Sequence, residues 1–183
     1  MKVTATLADI MTLNEAPHYD ICYTDPPWGN KMVGFFQSIQ TKDTGKVTNN
    51  SLSDILFKLG EIADINKPLY VEYSIYIYQE VVDILERCGH TLYKSIELKT
   101  SYNKPYVLLI FNTSVDATEG IKGFNIVTDI VRKFDNPIVF DPFAGVGLSA
   151  KAVVAGGGSY IGSELNASRF AKFKAYADRV NLK

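Results

Sequence analysis

Residues 137–147 have the sequence Pro-Ile-Val-Phe-Asp-Pro-Phe-Ala-Gly-Val-Gly, and this stretch decides the fold. Its apolar half predicts a strand, Pro137–Phe140, that runs into a turn containing two glycines. A helix is predicted to follow over Leu148–Ala155, and a second strand over Ser159–Glu164. This order of elements indicates two parallel strands joined by a crossover helix. The glycines permit positive backbone angles, so a ligand can approach the main chain closely.

Outward from this unit, short apolar strands alternate with amphipathic helices along the 183 residues. The alternation predicts one α/β domain over residues 1–183, with a seven-strand mixed sheet and helices on both faces. Two strands that flank residues 99–105 predict an antiparallel hairpin at one sheet edge. The predicted strands are Val3–Ala8, Asp20–Thr24, Leu69–Ser74, Thr91–Leu98, Tyr106–Thr113, Pro137–Phe140 and Ser159–Glu164. The predicted helices are Ser51–Asp64, Gln79–Cys88, Asn125–Phe134, Leu148–Ala155 and Ala167–Val180.

The segment Asn30–Asn50 has no sustained apolar period and ends in polar, turn-forming residues. It is predicted to be a long loop. Loops of about 20 residues inside a compact domain are usually functional or disordered. Because this one directly follows the most distinctive motif of the chain, a functional role is favoured.

The composition is that of an ordinary globular protein, with 46% hydrophobic residues and a net charge of −1. Proteins that hold nucleic acid mainly through phosphates are usually basic, so any such contact must come from local patches or a partner. The two cysteines, Cys22 and Cys88, match no metal-binding spacing, and no metal site is predicted. With no signal peptide and no run of about 18 apolar residues, we expect a cytoplasmic protein that does not span a membrane.

A second strand ends in an unusual way, since residues 19–28 read Tyr-Asp-Ile-Cys-Tyr-Thr-Asp-Pro-Pro-Trp. Two prolines cannot continue a central strand, so the chain must leave the sheet at its carboxyl edge, where open α/β sheets bind ligands. The exocyclic amine of a nucleobase is a poor nucleophile, because its lone pair is delocalised into the ring. Asp25 and the Pro26 carbonyl can accept its two hydrogens and free that lone pair, while Trp28 stacks on a flipped base. Taken alone, the motif is equally consistent with a surface turn.

The glycine turn is consistent with two kinds of cofactor, a dinucleotide and S-adenosylmethionine. Glu164 lies 19 residues beyond Gly145, a spacing that places an acid beside ribose hydroxyls. Residues 145–150 also satisfy the dinucleotide fingerprint, with alanine in the third position. Asp141 favours S-adenosylmethionine, because a carboxylate there can hold an amino-acid ammonium group but repels a pyrophosphate.

The two motifs together resemble those of the DNA and RNA amino-methyltransferases, and the likeness covers nearly the full chain. The catalytic motif of that family, Asp/Asn/Ser-Pro-Pro-Tyr/Phe/Trp, is matched by Asp25-Pro26-Pro27-Trp28, and its cofactor motif, Asp-Pro-Phe-x-Gly-x-Gly, by residues 141–147. The catalytic motif comes first, as in the permuted, beta-type members and the Asp-Pro-Pro-Trp group; protein glutamine methyltransferases carry the glycine motif first. Aspartate first and tryptophan last resembles the adenine-N6 set, whereas serine first is typical of cytosine-N4 enzymes.

This resemblance implies a Rossmann-like class I methyltransferase fold and direct methyl transfer from S-adenosylmethionine to N6 of adenine. DNA is the expected polymer and RNA the alternative. The implied catalytic residues are Asp25, Pro26, Pro27 and Trp28. The implied cofactor-binding residues are Asp141, Pro142, Phe143, Gly145, Gly147 and Glu164.

The sequence contains no separate target-recognition region, so the domain is expected to dimerise or to use a partner subunit. Basic and aromatic residues around two predicted loops are the candidate contacts to nucleic acid: Lys31, Lys99, Tyr102 and Lys104. The basic residues of the last helix are interpreted as an ordinary solvated face: Arg169, Lys172 and Arg179. The rival interpretations are a non-catalytic nucleic-acid-binding subunit and, more weakly, a methyltransferase of small-molecule or protein amines.

Overall fold

The computed structural model describes residues 1–44, 49–100, 103–121, 123 and 125–182, without the side chains of residues 43 and 44. These residues form a seven-stranded sheet with the order β1-β7-β6-β2-β3-β5-β4. The strands are β1 (Val3–Leu7), β2 (Ile21–Thr24), β3 (Leu69–Tyr73), β4 (Leu92–Lys99), β5 (Pro105–Phe111), β6 (Ile138–Asp141) and β7 (Ser159–Glu164).

Strand directions make this a mixed sheet, as predicted. β5 is antiparallel to both of its neighbours, β3 and β4, and the other pairs are parallel. The predicted hairpin is formed by β4 and β5, with β4 at the edge of the sheet. From β6 the chain crosses to β7 on one side, whereas from β2 it crosses to β3 on the other. The adjacent pair β6 and β2 is therefore the topological switch point, where open sheets of this kind bind ligands.

Helices cover both faces of the sheet, which confirms the predicted layers. The described helices are α1 (Asn30–Thr44), α2 (Leu52–Ile62), α3 (Tyr78–Arg87), α4 (Asn125–Val131), α5 (Leu148–Gly156) and α6 (Ala167–Asn181). One core layer contains Leu56 of α2 and Leu85 of α3, packed with Val71 of the sheet. The other contains Ile130 of α4 and Phe173 of α6. Burial of apolar side chains in both layers supplies the main driving force for this fold.

The ends of the helices follow local backbone chemistry. The Ser51 hydroxyl accepts a hydrogen bond from the N–H of Asp54, and the Asp54 carboxylate accepts one from the N–H of Ser51. This capping box begins α2 and satisfies amides that lack a partner in the first turn. Gly89, with a φ of +94°, follows the end of α3, where glycine commonly ends a helix.

The prediction of a loop over Asn30–Asn50 is wrong for its first part, because Asn30–Thr44 is the helix α1. Its side chains that turn away from solvent follow a helical period, but they mix apolar Val33 and Phe36 with polar Gln37 and Thr41. An inward face that is partly polar gives no clear apolar period, which is the signal by which a helix is recognised in sequence.

Two further features concern buried and apolar residues. Cys22 is fully buried in the core, as expected of a small apolar side chain. Within the described part of the chain, the helices are all too short or too polar to cross a membrane.

Candidate active site at the carboxyl edge of the sheet

The two sequence motifs meet at the switch point because their strands are neighbours. Cys22 of β2 pairs with Phe140 of β6, so both strands end at the same edge of the sheet. The hydroxyl of Thr24, the last residue of β2, donates a hydrogen bond of 2.9 Å to Oδ1 of Asp141, the last residue of β6. This bond ties the Asp-Pro-Pro-Trp motif to the glycine motif.

Asp141 is the hydrogen-bonding centre of this edge. Its carboxylate is buried and accepts three bonds besides that of Thr24: from the N–H of Phe143, from the Ser149 hydroxyl and from the Tyr160 hydroxyl. A carboxylate offers about four lone-pair sites, so these donors fill it. Burial raises the pKa of Asp141, and the hydrogen bonds oppose that rise. Its assignment as the ligand of an ammonium group stays a prediction, since such a group would have to replace one of these donors.

The Asp-Pro-Pro-Trp motif is held in a fixed conformation. The indole Nε1–H of Trp28 donates a 2.7 Å hydrogen bond to Oδ1 of Asp25. The Trp28 ring packs with two tyrosines, and its centroid lies 6.4 Å from those of Tyr73 and Tyr106. The N–H of Gly29 donates to the carbonyl of Pro27, whereas none of the backbone bonds in the described segments uses the carbonyl of Pro26. The motif therefore presents one carboxylate and one carbonyl as acceptors.

Two cavities open at this edge. The larger, of about 410 Å³, is lined by residues from the ends of β1, β2, β6 and β7 and from α1. Pro26, Pro27 and Trp28 border it, as do Pro142 and Glu164. The smaller, of about 120 Å³, is lined by the glycine turn with Gly145, and by Tyr23 and Glu72. Asp25, Phe143 and Arg169 border both, so the two cavities meet at these side chains.

The small cavity is strongly acidic. The Tyr23 hydroxyl donates a 2.5 Å hydrogen bond to Oε1 of Glu72. Burial raises the pKa of Glu72 to about 7, and the negative charge of Asp141 adds to the rise. Asp25 is exposed where it borders the cavities, but the protein packed around its carboxyl group displaces part of the water that would hydrate it. That desolvation and the charge of Glu72 raise the pKa of Asp25 well above its usual range, while the bond from Trp28 opposes the rise.

The glycine turn adopts the backbone conformation that its sequence predicts. Gly145 and Gly147 have φ values of +60° and +81°, and α5 begins directly after Gly147. A Cβ atom at Gly147 would lie 2.6 Å from Cδ2 of Phe173, so a side chain there would clash as well as strain the backbone. Glu164 ends β7 and is buried at the larger cavity, where its Oε1 accepts a hydrogen bond from the N–H of Asn166. Burial raises its pKa.

The predicted nucleic-acid contacts lie at the same edge of the sheet. Lys31 is exposed in the first turn of α1, three residues after Trp28. Lys99 ends β4 and Lys104 precedes β5, and both are exposed. Since β5 and β4 stand two and three strands from β2, these two lysines lie about 9 to 14 Å to the side of the motif. Tyr102 is outside the described residues.

Several residues that line the two cavities were not predicted, among them Asp9, Tyr23, Glu72 and Arg169. Asp9 follows β1. Tyr23 and Glu72 lie within strands, where successive side chains point to opposite faces of the sheet, so the order of the strands decides whether these two side chains meet. Arg169 had been interpreted as part of a solvated face, but its side chain turns into the cavities. Of these residues, only Arg169 could have been found from the sequence, because it lies five residues beyond Glu164, the acid that ends β7. In the described segments, no group of three or more His, Cys, Asp or Glu side chains is arranged to hold a metal ion.

The chain has the Rossmann-like fold of class I methyltransferases. Three features of the sheet define this fold: the strand order, the single antiparallel strand beside the edge, and the glycine turn at the switch point. The M1.HpyAVI–SAM complex matches it with a TM-score of 0.68 and 16% identity, over 95% of this chain and 99% of that one. TTHA0409 of Thermus thermophilus, assigned as a DNA modification methylase and complexed with S-adenosyl-L-methionine, matches with a TM-score of 0.65 and 14% identity, over 96% and 93%. The cytosine-N4-specific PvuII DNA methyltransferase matches with a TM-score of 0.57 and 10% identity, over 98% and 93%. No protein-family model and no curated protein sequence matches the chain.

Proposed function

We propose that this chain is an S-adenosylmethionine-dependent methyltransferase that modifies N6 of adenine in DNA. The position of Asp25 carries the proposal. Its carboxyl group is hydrogen bonded to Trp28 and borders both cavities at the switch point. A hydrogen-bond acceptor and an aromatic ring thus stand together at the junction of the two cavities, where a base would meet the bound cofactor.

The chemistry of the cavity lining fits S-adenosylmethionine better than a dinucleotide. Five carboxylates line the two cavities: Asp9, Asp25, Glu72, Asp141 and Glu164. S-adenosylmethionine carries a sulfonium and an ammonium group, which carboxylates attract, whereas the pyrophosphate of a dinucleotide would be repelled. Glu164, at the end of β7, would bind the ribose hydroxyls, and the turn at Gly145 would let the cofactor approach the main chain closely. When bound, the cofactor would supply a methyl group activated by its sulfonium, and the electron pair of the broken methyl–sulfur bond would remain on sulfur.

The residues of the motif act on the amine. Asp25 and the carbonyl of Pro26 accept the two hydrogens of the exocyclic nitrogen, which frees its lone pair for attack. The amine loses one proton when the new C–N bond forms, and Asp25 receives it. A carboxylate whose pKa is raised binds that proton more strongly than an ordinary aspartate. The two prolines fix the direction of both acceptors, so little reorganisation accompanies the reaction.

Trp28 positions the base. Its ring is packed with Tyr73 and Tyr106 on the protein side and borders the larger cavity on the other. An aromatic ring fixed in this way offers a stacking surface to a base taken out of its helix. The exposed side chains of Lys31, Lys99 and Lys104 stand at the same edge, where they can meet phosphates beside the flipped nucleotide.

The choice of base and polymer rests on the motif and on similar proteins. Because a cytosine-N4 enzyme shares this fold, the fold does not distinguish the two bases. The aspartate at position 25 and the tryptophan at position 28 favour adenine N6, by the resemblance of the motif to the adenine set. DNA is proposed because two of the similar proteins are named for DNA modification.

Replacing Asp25 by alanine tests the proposal. We expect methyl transfer from S-adenosylmethionine to DNA to fall by about 10²- to 10⁴-fold, because the side-chain acceptor of the amine hydrogen is lost. The dissociation constant for the cofactor, measured by titration calorimetry, should change by no more than a few-fold. Asp83→Ala is the matched control, since Asp83 is exposed on α3 and bonds only within its own helix. Normal turnover by the Asp25→Ala variant would contradict the assignment of the pocket.

A further inference from the structure

Arg169 is a cation at the point where the two acidic cavities meet. It lies in the first turn of α6, and its side chain borders both cavities, where it is the only Lys or Arg among the described lining residues. The five acidic side chains around it can pair with the two cationic groups of S-adenosylmethionine, its sulfonium and its ammonium group. They leave no partner for the one anionic group of that molecule, the carboxylate of its methionine part.

The guanidinium group is held in place by contacts that leave its N–H donors available. Its Cζ atom lies 4.8 Å from the centroid of the Phe36 ring on α1, and its Nε atom lies 3.9 Å from Oε2 of Glu164. In the described part of the chain, no protein group accepts a hydrogen bond from it. The guanidinium can form two parallel hydrogen bonds with a carboxylate, a geometry that lysine cannot reproduce.

The glycine turn is shaped around this side chain. A Cβ atom at Gly145 would lie 2.6 Å from Nη2 of Arg169, so a side chain there would displace the guanidinium from its place against the turn. Arg169 lines both cavities together with Asp25, and its charge opposes the rise in the pKa of Asp25 and of Glu164. Arg169 is thus fixed between the ribose-binding acid, the glycine turn and the catalytic aspartate.

We infer that Arg169 binds the α-carboxylate of the methionine part of S-adenosylmethionine, an inference that rests on the proposed function. The small cavity, with Glu72 and Tyr23, then receives the methionine part, and the part of the larger cavity beside Glu164 receives the adenosine. Arg169 selects a cofactor that carries a carboxylate, and its contact with Phe36 links α1 to the bound ligand.

Titration calorimetry with two ligands tests this inference. Decarboxylated S-adenosylmethionine keeps the sulfonium and amine groups and lacks only the carboxylate. The wild-type protein should bind S-adenosylmethionine about ten- to a hundredfold more tightly than the decarboxylated form, because a charge-assisted pair is lost with the carboxylate. Arg169→Gln should bind the two ligands with nearly equal affinity. Arg169→Lys should restore part of the preference, and Lys172→Gln, which removes an exposed charge from the same helix, should retain all of it.

The ratio of the two affinities distinguishes direct binding of the carboxylate by Arg169 from a purely structural role of this residue. If Arg169→Gln weakens both ligands equally, Arg169 only shapes the cleft through Phe36, and the inference is wrong. The inference is also wrong if the variant keeps the wild-type preference for the carboxylate. Failure of the wild-type protein to bind either ligand would instead overturn the proposed function.

Discussion

Replacing Glu72 by glutamine removes a carboxyl group whose ionisation is disfavoured in the folded protein. The pKa of Glu72 rises from the ordinary 4.5 to about 7 on folding, chiefly through burial. For a carboxyl group whose pKa is raised in the folded state, the protonated form is favoured by folding. The group therefore has no effect below pH 4.5, and it destabilises the folded protein increasingly as pH rises from 4.5 to 7.

The size of the effect follows from these two pKa values. At about 1.4 kcal/mol per pKa unit, the penalty is about 1 kcal/mol at pH 5 and about 3 kcal/mol at pH 8. Glutamine is uncharged at both values and can still accept the hydrogen bond of the Tyr23 hydroxyl. We therefore expect Glu72→Gln to raise the free energy of unfolding by up to these amounts.

Urea denaturation at pH 5 and pH 8 measures the effect directly. Glu97→Gln is the control, because Glu97 is exposed on β4, and we expect its stability to match the wild type at both pH values. A gain for Glu72→Gln that is the same at both pH values would show that the effect is not electrostatic. A loss of stability at pH 8 would refute the reasoning, since it would mean that the ionised carboxylate is stabilised where it stands.

Two further substitutions test the construction of the site. Gly147→Ala forces a side chain onto a backbone with a φ of +81° and against Phe173, so we expect a loss of about 2 kcal/mol or more and a melting temperature lower by about 5 °C in calorimetry. An unchanged melting temperature would show that the turn adjusts freely. Asp141→Asn leaves one oxygen for the four donors that the carboxylate satisfies, and we expect urea denaturation to show a loss of about 2 kcal/mol. A variant as stable as the wild type would mean that the hydroxyl donors reorient at no cost.

The parts of the site that local sequence determines could be predicted. The two prolines after Asp25 and the glycines at 145 and 147 act through the backbone of their own segments, so their effect does not depend on the rest of the fold. Residues that meet only through strand order could not be predicted in this way. Glu72 and Tyr23 belong to different strands, and only the pairing of β2 with β3 brings their side chains within 2.5 Å.

Helix α1 shows a second reason why prediction fails. Its inward face lines the larger cavity with Val33, Phe36 and Gln37, so that face serves a binding surface as well as the core. A face of this kind need not be uniformly apolar, so the apolar residues of the segment alone show no helical period in the sequence. The functional role predicted for this segment stays a prediction, which its place at the cavity supports.

Mass spectrometry of nucleosides tests the central claim most directly. The wild-type protein is incubated with S-adenosylmethionine carrying a deuterated methyl group and with unmethylated DNA or RNA in separate reactions, each beside the Asp25→Ala variant. We predict deuterated N6-methyladenine in the DNA reaction with the wild-type protein and a strong decrease with the variant. Deuterated N4-methylcytosine, or product in the RNA reaction alone, would correct the base or the polymer. The absence of any methylated nucleoside, in a protein that binds the cofactor, would contradict the claim that this chain methylates nucleic acid by itself.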